Sequence, residues 1–176
     1  VMANGGRVTY SAGYSGTSGV IHTGIGPFNI QSGSNLQYGR IAYSKGAFKM
    51  PGYANRLDVT APNLLLTDPT TFKPVALNFQ TGTYDVEIGH SKIVADKHVL
   101  SYGGNARRNT FDITLAPGAE DRSEFGGYFQ DEFFVDKFRL ALGGRVDKFG
   151  NIDKAVFSPR VTAMFKPTPD QSLRLS

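Results

Sequence analysis

The sequence predicts an all-β chain: an antiparallel meander of about eight or nine long strands that forms part of a larger transmembrane β-barrel. Three observations carry this reading. From Glu124 to Ser176, apolar and polar residues alternate through three successive segments, the period of strands with two unlike faces. Connections between the strand-like segments are short at one end and long at the other, as in outer-membrane barrels. No apolar run approaches the length of a membrane-spanning helix, so any crossing must be made by strands.

The elements follow in order. Residues 7–14 put Val8, Tyr10, Ala12 and Tyr14 on one face. A glycine-rich stretch runs through Gly26-Pro27-Phe28, and Ser32-Gly33-Ser34-Asn35 signals another loop. Residues 36–50 read as a strand that ends at the turn signal Met50-Pro51-Gly52-Tyr53, with a further strand to Thr60. Residues 61–74 contain Pro62, Pro69 and Pro74 and read as a long loop. In the strand 75–94, Tyr84, Val86 and Ile88 oppose Asp85, Glu87 and Gly89. A turn near Asp96 leads into a strand over 99–115, and 117–123 is a polar loop.

The meander then turns at Asp136-Lys137. It places Phe138, Leu140, Leu142, Gly144 and Val146 on one face, against Arg139, Ala141, Gly143, Arg145 and Asp147. The next segment repeats this, with Phe157, Pro159, Val161, Ala163 and Phe165 against Ser158, Arg160, Thr162 and Met164. The last sets Leu173 and Leu175 against Ser172, Arg174 and Ser176. Pro159 is expected to open its strand, where a missing N–H is tolerated. The predicted short connections are 50–53, 95–97, 136–137 and 166–170; the long ones are 24–35, 61–74 and 116–123. Both ends of the chain are expected to be cut from a longer protein, since Ser176 falls inside a strand pattern. In a barrel the apolar face meets lipid and the polar face lines a wet lumen. The alternative is a secreted or surface β-sandwich binding carbohydrate or protein, whose apolar faces would be covered by a second sheet.

Composition limits the functions open to the chain. Of 176 residues, 40% are hydrophobic and 19% charged, with a net charge of +4, which suits a barrel with a polar lumen. The basic excess has no clustered run with interleaved aromatics, which argues against nucleic acid as a partner. There is no cysteine, so disulfides and cysteine-held zinc are excluded. His22, His90 and His98 lack the spacing of a metal site. The order of Asp147, Asn151 and Asp153 does not fit a calcium loop. Gly13-Tyr14-Ser15-Gly16-Thr17 lacks the last glycine of a nucleophile elbow. The expectation is therefore no enzyme, no metal and no cofactor.

The candidate site residues are the lumen-facing Arg139, Arg145, Arg160 and Arg174, together with Glu132. A two-residue turn at Asp136-Lys137 sets Phe134 opposite Arg139, Tyr128 opposite Arg145, and Glu132 diagonal to Arg139. The arginines then either form a charge ladder that satisfies the wall, or pair with carboxylate or phosphate on a ligand. Asp131 breaks the pattern. It shares a face with Phe129, Phe133 and Val135, so it must lie near an interface or mark a bulge. Tyr10, Tyr14, Tyr43, Tyr84, Tyr102, Phe129 and Phe165 are candidates for interfacial girdles.

Several of these stretches resemble a known family. They are Arg108-Asn109 with Phe111-Asp112, Ala116-Pro117, Arg122, Glu124, Gly127-Tyr128 and Gln130-Asp131-Glu132. Gly143-Gly144-Arg145-Val146-Asp147, Phe157-Ser158-Pro159-Arg160-Val161, Lys166-Pro167 and Leu173-Arg174-Leu175-Ser176 follow in order. Together they resemble the barrel of TonB-dependent outer-membrane receptors. That resemblance implies a 22-stranded barrel in the outer membrane, in contact with its lipid. It also implies a plug domain and a TonB-contacting segment, both outside this chain, and energy-coupled uptake of a small scarce nutrient such as a ferric siderophore, cobalamin or an oligosaccharide. With about eight or nine of those strands, residues 1–176 would be a partial barrel, the plug expected before Val1 and the remaining strands after Ser176. The loops 24–35, 61–74 and 116–123 would carry the ligand contacts.

Overall fold

The computed structural model describes residue 2, residues 5–168 and residues 170–176. The described residues form two antiparallel sheets and no helix. Thirteen strands follow in order: β1 (Arg7–Gly16), β2 (Gly19–Thr23), β3 (Gly26–Ile30), β4 (Asn35–Lys45), β5 (Phe48–Thr60), β6 (Asn63–Thr67) and β7 (Pro74–Val75). The chain continues with β8 (Asn78–Val94), β9 (His98–Ile113), β10 (Arg122–Val135), β11 (Phe138–Phe149), β12 (Val156–Thr168) and β13 (Gln171–Leu175). Nine of them build one sheet in the order β1-β4-β5-β8-β9-β10-β11-β12-β13. Spatial order thus follows chain order, with β2, β3, β6 and β7 set aside in a second, four-stranded sheet.

The hairpin ends explain the registers. At Asp136-Lys137 the strands close directly, Val135 facing Phe138, and Asp136 takes a φ of 49°, the left-handed region that tight hairpin turns demand. Phe134 then faces Arg139 and Tyr128 faces Arg145, as the sequence predicts. Ala95 and Asp96, with φ of 51° and 54°, make the turn between β8 and β9. The turn expected at Met50-Tyr53 lies elsewhere. Gly46, at φ 56°, closes β4 onto β5 with Lys45 facing Phe48, and Pro51-Gly52 sits inside β5. Glycine takes that φ without the steric cost a side chain pays. Pro51 is tolerated because the ladder to β8 skips it: Lys49 faces Gly89 and Gly52 faces Val86, with no bridge between. Pro159 likewise lies within β12 rather than at its start, facing Gly144. The expected 166–170 connection includes Pro169, which lies outside the described residues.

The loops expected at 24–35 and 61–74 each contain a five-residue strand. They supply β3 and β6, which pair through Phe28 and Asn63 and complete the small sheet. Their sequences hide this because the strands are short and their apolar residues serve a local core. Phe28, Ala61 and Leu77 are buried there, with Ile30, Val59, Val75 and Phe79 packed against them. Asn63, fully buried, ties the corner. It donates to Ile25 O at 3.2 Å and accepts from Leu65 N at 2.8 Å and Leu66 N at 3.2 Å. At the tip of the second loop, Asp68 accepts from the Thr71 and Thr70 amides, at 2.9 and 2.7 Å. These bonds hold its carboxyl below the ordinary aspartate range.

This small core caps the long-connection end of the large sheet and leaves the sheet's apolar face bare. Leu140, Leu142, Val161 and Leu173 all remain exposed, Val161 at 58%. A β-sandwich would have buried them. The sandwich alternative therefore fails, and a barrel wall is the architecture that accounts for an uncovered apolar face.

Candidate functional site

The polar face of the large sheet carries two groups of charged side chains. Strand alternation puts both on that face; the registers decide which side chains meet.

The first group lies toward the short-turn end. Arg139 of β11 pairs diagonally with Glu132 of β10, and Gln130 Nε2 donates to the same carboxylate at 2.8 Å. The β11–β12 register sets Arg139 beside Met164 and Gly143 beside Arg160. The β12–β13 register sets Met164 beside Arg174. Arg139, Arg160 and Arg174 thus converge with Glu132, Gln130 and Thr162 on a cavity of about 170 Å³. Glu132 is the one carboxylate there against three guanidiniums. Among the described residues no carboxylate lies within ion-pair distance of Arg160 or Arg174.

Arg145 belongs to the second group, nearer the long connections. Its Nε donates to both oxygens of Asp147 at 2.8 Å, and its Nη2 donates to Asn105 Oδ1 at 2.6 Å. Gly126 makes room for this cluster: a Cβ there would run into the Arg145 guanidinium and the Asp147 carboxylate. Across the sheet, Arg107 Nε donates to Asp85 Oδ2 at 2.8 Å, and Asp85 is buried. Thr83, Asn109 and Glu124 extend the network, with Thr83 Oγ1 donating to Asn109 at 3.1 Å and Asn109 Nδ2 to Glu124 at 3.4 Å.

Four of the five predicted site residues therefore share a cavity, and Arg145 stands apart from them. The Asp85–Arg107 pair was not foreseen. Its signal was the turn at 95–97, which fixes Asp85 opposite Arg107 once its length is known.

On the apolar face, Asp131 keeps its register with no bulge on either side. Its charge is met by His98, whose Nδ1 lies 2.8 Å from Asp131 Oδ2. Of the aromatic positions, Tyr43, Tyr102 and Phe165 lie toward the short turns, Tyr14 and Tyr84 toward the long connections. His22 lies exposed in β2 of the cap. Among the described residues no group of three His, Cys, Asp or Glu is placed to hold a metal ion.

The family model for the TonB-dependent receptor-like β-barrel matches residues 3–176. The chain belongs to that family. Its strands are those of an outer-membrane barrel, and the family is one of receptors rather than enzymes. No curated protein sequence matches the chain. Among solved structures, the FrpB iron transporter from Neisseria meningitidis matches in two variants. The F3-3 variant superposes with a TM-score of 0.67 at 14% identity, covering 97% of this chain and 33% of that one. The F5-1 variant gives 0.60 at 15% identity, covering 96% and 34%. The FpvAI–pyocin S2 complex gives 0.53 at 15% identity, covering 96% and 33%. At these identities the likeness is one of fold. The chain spans about a third of the length of the solved structures it matches.

Proposed function

We propose that this chain is a lumen-lining part of a receptor that takes up a scarce nutrient across the outer membrane, with a plug domain seated against its polar face. The observation that carries the proposal is the cavity with three guanidiniums and one carboxylate. Such a surface, facing a wet lumen, favours an anionic partner through bidentate, charge-assisted hydrogen bonds. It lies toward the short hairpin turns, the periplasmic rim of an outer-membrane barrel, where acidic side chains of a plug would meet it. The Arg145 and Asp85 networks, by contrast, already pair their charges and serve as wall. Substrate capture falls to the opposite end, where the four-stranded cap and the 114–121 connection lie. Ferric chelates are the substrate class to test first, since two of the matching structures are iron transporters. Energy would come from TonB acting on the plug.

The experiment uses the full-length receptor in outer membranes. Replacing Arg139, Arg160 and Arg174 together by alanine is expected to leave surface binding of the ferric chelate within about twofold, while iron uptake falls by about tenfold, the equivalent of roughly 1.4 kcal/mol of lost plug docking. Sensitivity to large antibiotics should rise as the plug loosens. Unchanged uptake and unchanged antibiotic exclusion would remove the plug-docking role. Failure of the intact receptor to bind any ferric chelate would remove iron as the substrate.

A further inference from the structure

An apolar groove of about 770 Å³ crosses the outer wall of the sheet from β1 to β10. Its volume falls within the range of about 300–1,000 Å³ that small-molecule sites occupy. Ala12, Gly39 and Ala54 stand side by side as its floor, followed by Tyr84 and Arg108 in the same cross-strand row. The adjoining row, toward the short turns, runs Tyr10, Ile41, Gly52, Val86 and Ala106, and ends at Phe125. The small residues of both rows leave the hollow, and Tyr10 and Phe125 close its ends. Tyr10, Ile41, Tyr84, Val86 and Phe125 are all exposed, so the groove is open to the medium outside the wall.

The groove climbs through the extracellular half of the membrane. Gly39 is seven residues from the turn residue Gly46, and Arg108 is twelve from the turn residue Asp96. At about 3.3 Å per residue and a tilt near 40°, they stand roughly 18 and 30 Å above the turn tips. An apolar band about 25 Å tall therefore ends near Arg108, at the depth of the outer-leaflet headgroups. From β1 to β9 is four strand spacings, about 19 Å, against about 15 Å for half a hydrocarbon core. An acyl chain lying obliquely in the groove is thus held along its length. At the upper end Ser123 faces Arg108. The Arg108 guanidinium is 60% exposed and gives one Nη2 to Asp121 at 2.9 Å. A guanidinium has five N–H donors, so a second anion finds partners there.

We propose that the groove holds one acyl chain of an outer-leaflet glycolipid whose sugar-borne phosphate accepts from Arg108 and from the Ser123 hydroxyl. The lipid class is the phosphorylated, multiply acylated diglucosamine (lipid A) of the extracellular leaflet. A phospholipid of the periplasmic leaflet carries its phosphate at the opposite rim, so its tail cannot lie in the groove while its phosphate meets Arg108. The inference rests on the apolar face meeting lipid, which oxygen accessibility along β11 tests separately. Alternation along β11 without retention of the lipid would remove this site and leave the wall.

The test is lipid retention by the detergent-purified full-length receptor, read by native mass spectrometry with lipid A and with lipid A stripped of its phosphates. The phosphorylated form should be retained about tenfold better, in keeping with charge-assisted hydrogen bonding. A Cβ added at Gly39 meets no atom within 4 Å, so Gly39→Leu fills the groove without crowding the strand. That variant should lower retention of both forms about tenfold, since it removes the bed of the chain, with the heat-modifiable gel shift showing an intact barrel. If it does not fold, Arg108→Gln leaves the groove as it is and should abolish the preference for the phosphorylated form. Equal retention of the two forms by the unaltered receptor, undiminished retention by folded Gly39→Leu, or a full phosphate preference in Arg108→Gln would overturn the proposal.

Discussion

Replacing Leu142 by arginine is expected to deplete the folded receptor from the outer membrane. Leu142 is the fifth residue of β11, exposed on the apolar face beside Val161. A guanidinium at mid-depth on a lipid-facing strand costs about 2–4 kcal/mol, much of the stability of a marginally stable domain. Leu142→Arg should therefore lower the denaturant midpoint of the refolded barrel and reduce the heat-modifiable band in membranes. The control is Thr9→Arg, on the polar face of β1 opposite Ala42, where a surface substitution changes stability by no more than about 0.5 kcal/mol. Equal losses from the two substitutions would mean that the two faces do not meet different media.

Arg107→Ala should destabilise the barrel by about 1–3 kcal/mol, because it strands the carboxylate of Asp85. The Asp85 side chain is only 9% exposed, while that of Arg107 is 39% exposed. Water therefore reaches the guanidinium but hardly the carboxylate, which keeps the cost below that of a wholly buried pair. The double variant Asp85→Ala with Arg107→Ala should lose less than the sum of the two single ones, since the pair is in direct contact. Denaturant midpoints at constant slope measure this. Additive losses would show that the pair contributes no coupling.

Much of the wall was legible in the residues. The meander alternates from Phe138 onward, and a two-residue turn needs no more than Asp136-Lys137 to set its register, so the pairing of Phe134 with Arg139 was legible. The shared face of Arg139, Arg145, Arg160 and Arg174 followed from the same alternation; the β11–β12 and β12–β13 registers gathered three of them around one cavity and left Arg145 apart. What escaped was set by tertiary packing. Pro51-Gly52 carries a turn signal, yet Gly46 wins the turn because a register closing there pairs all of β4 with β5. Phe28 sits in a segment whose proline and glycines read as loop, and only its core with Ala61, Leu77 and Phe79 explains the strand β3. Asp131 was a misfit on an apolar face until β9 brought His98 beside it.

Oxygen accessibility along β11 is the most direct test of the account. The chain has no cysteine, so within it spin labels can be placed one at a time at residues 138–146 of the full-length receptor in membranes. Labels at 138, 140, 142, 144 and 146 should collide freely with lipid-soluble oxygen, and those at 139, 141, 143 and 145 with a water-soluble relaxer instead. Low oxygen accessibility at the even positions, or no alternation along the strand, would contradict a wall with lipid on one side and water on the other.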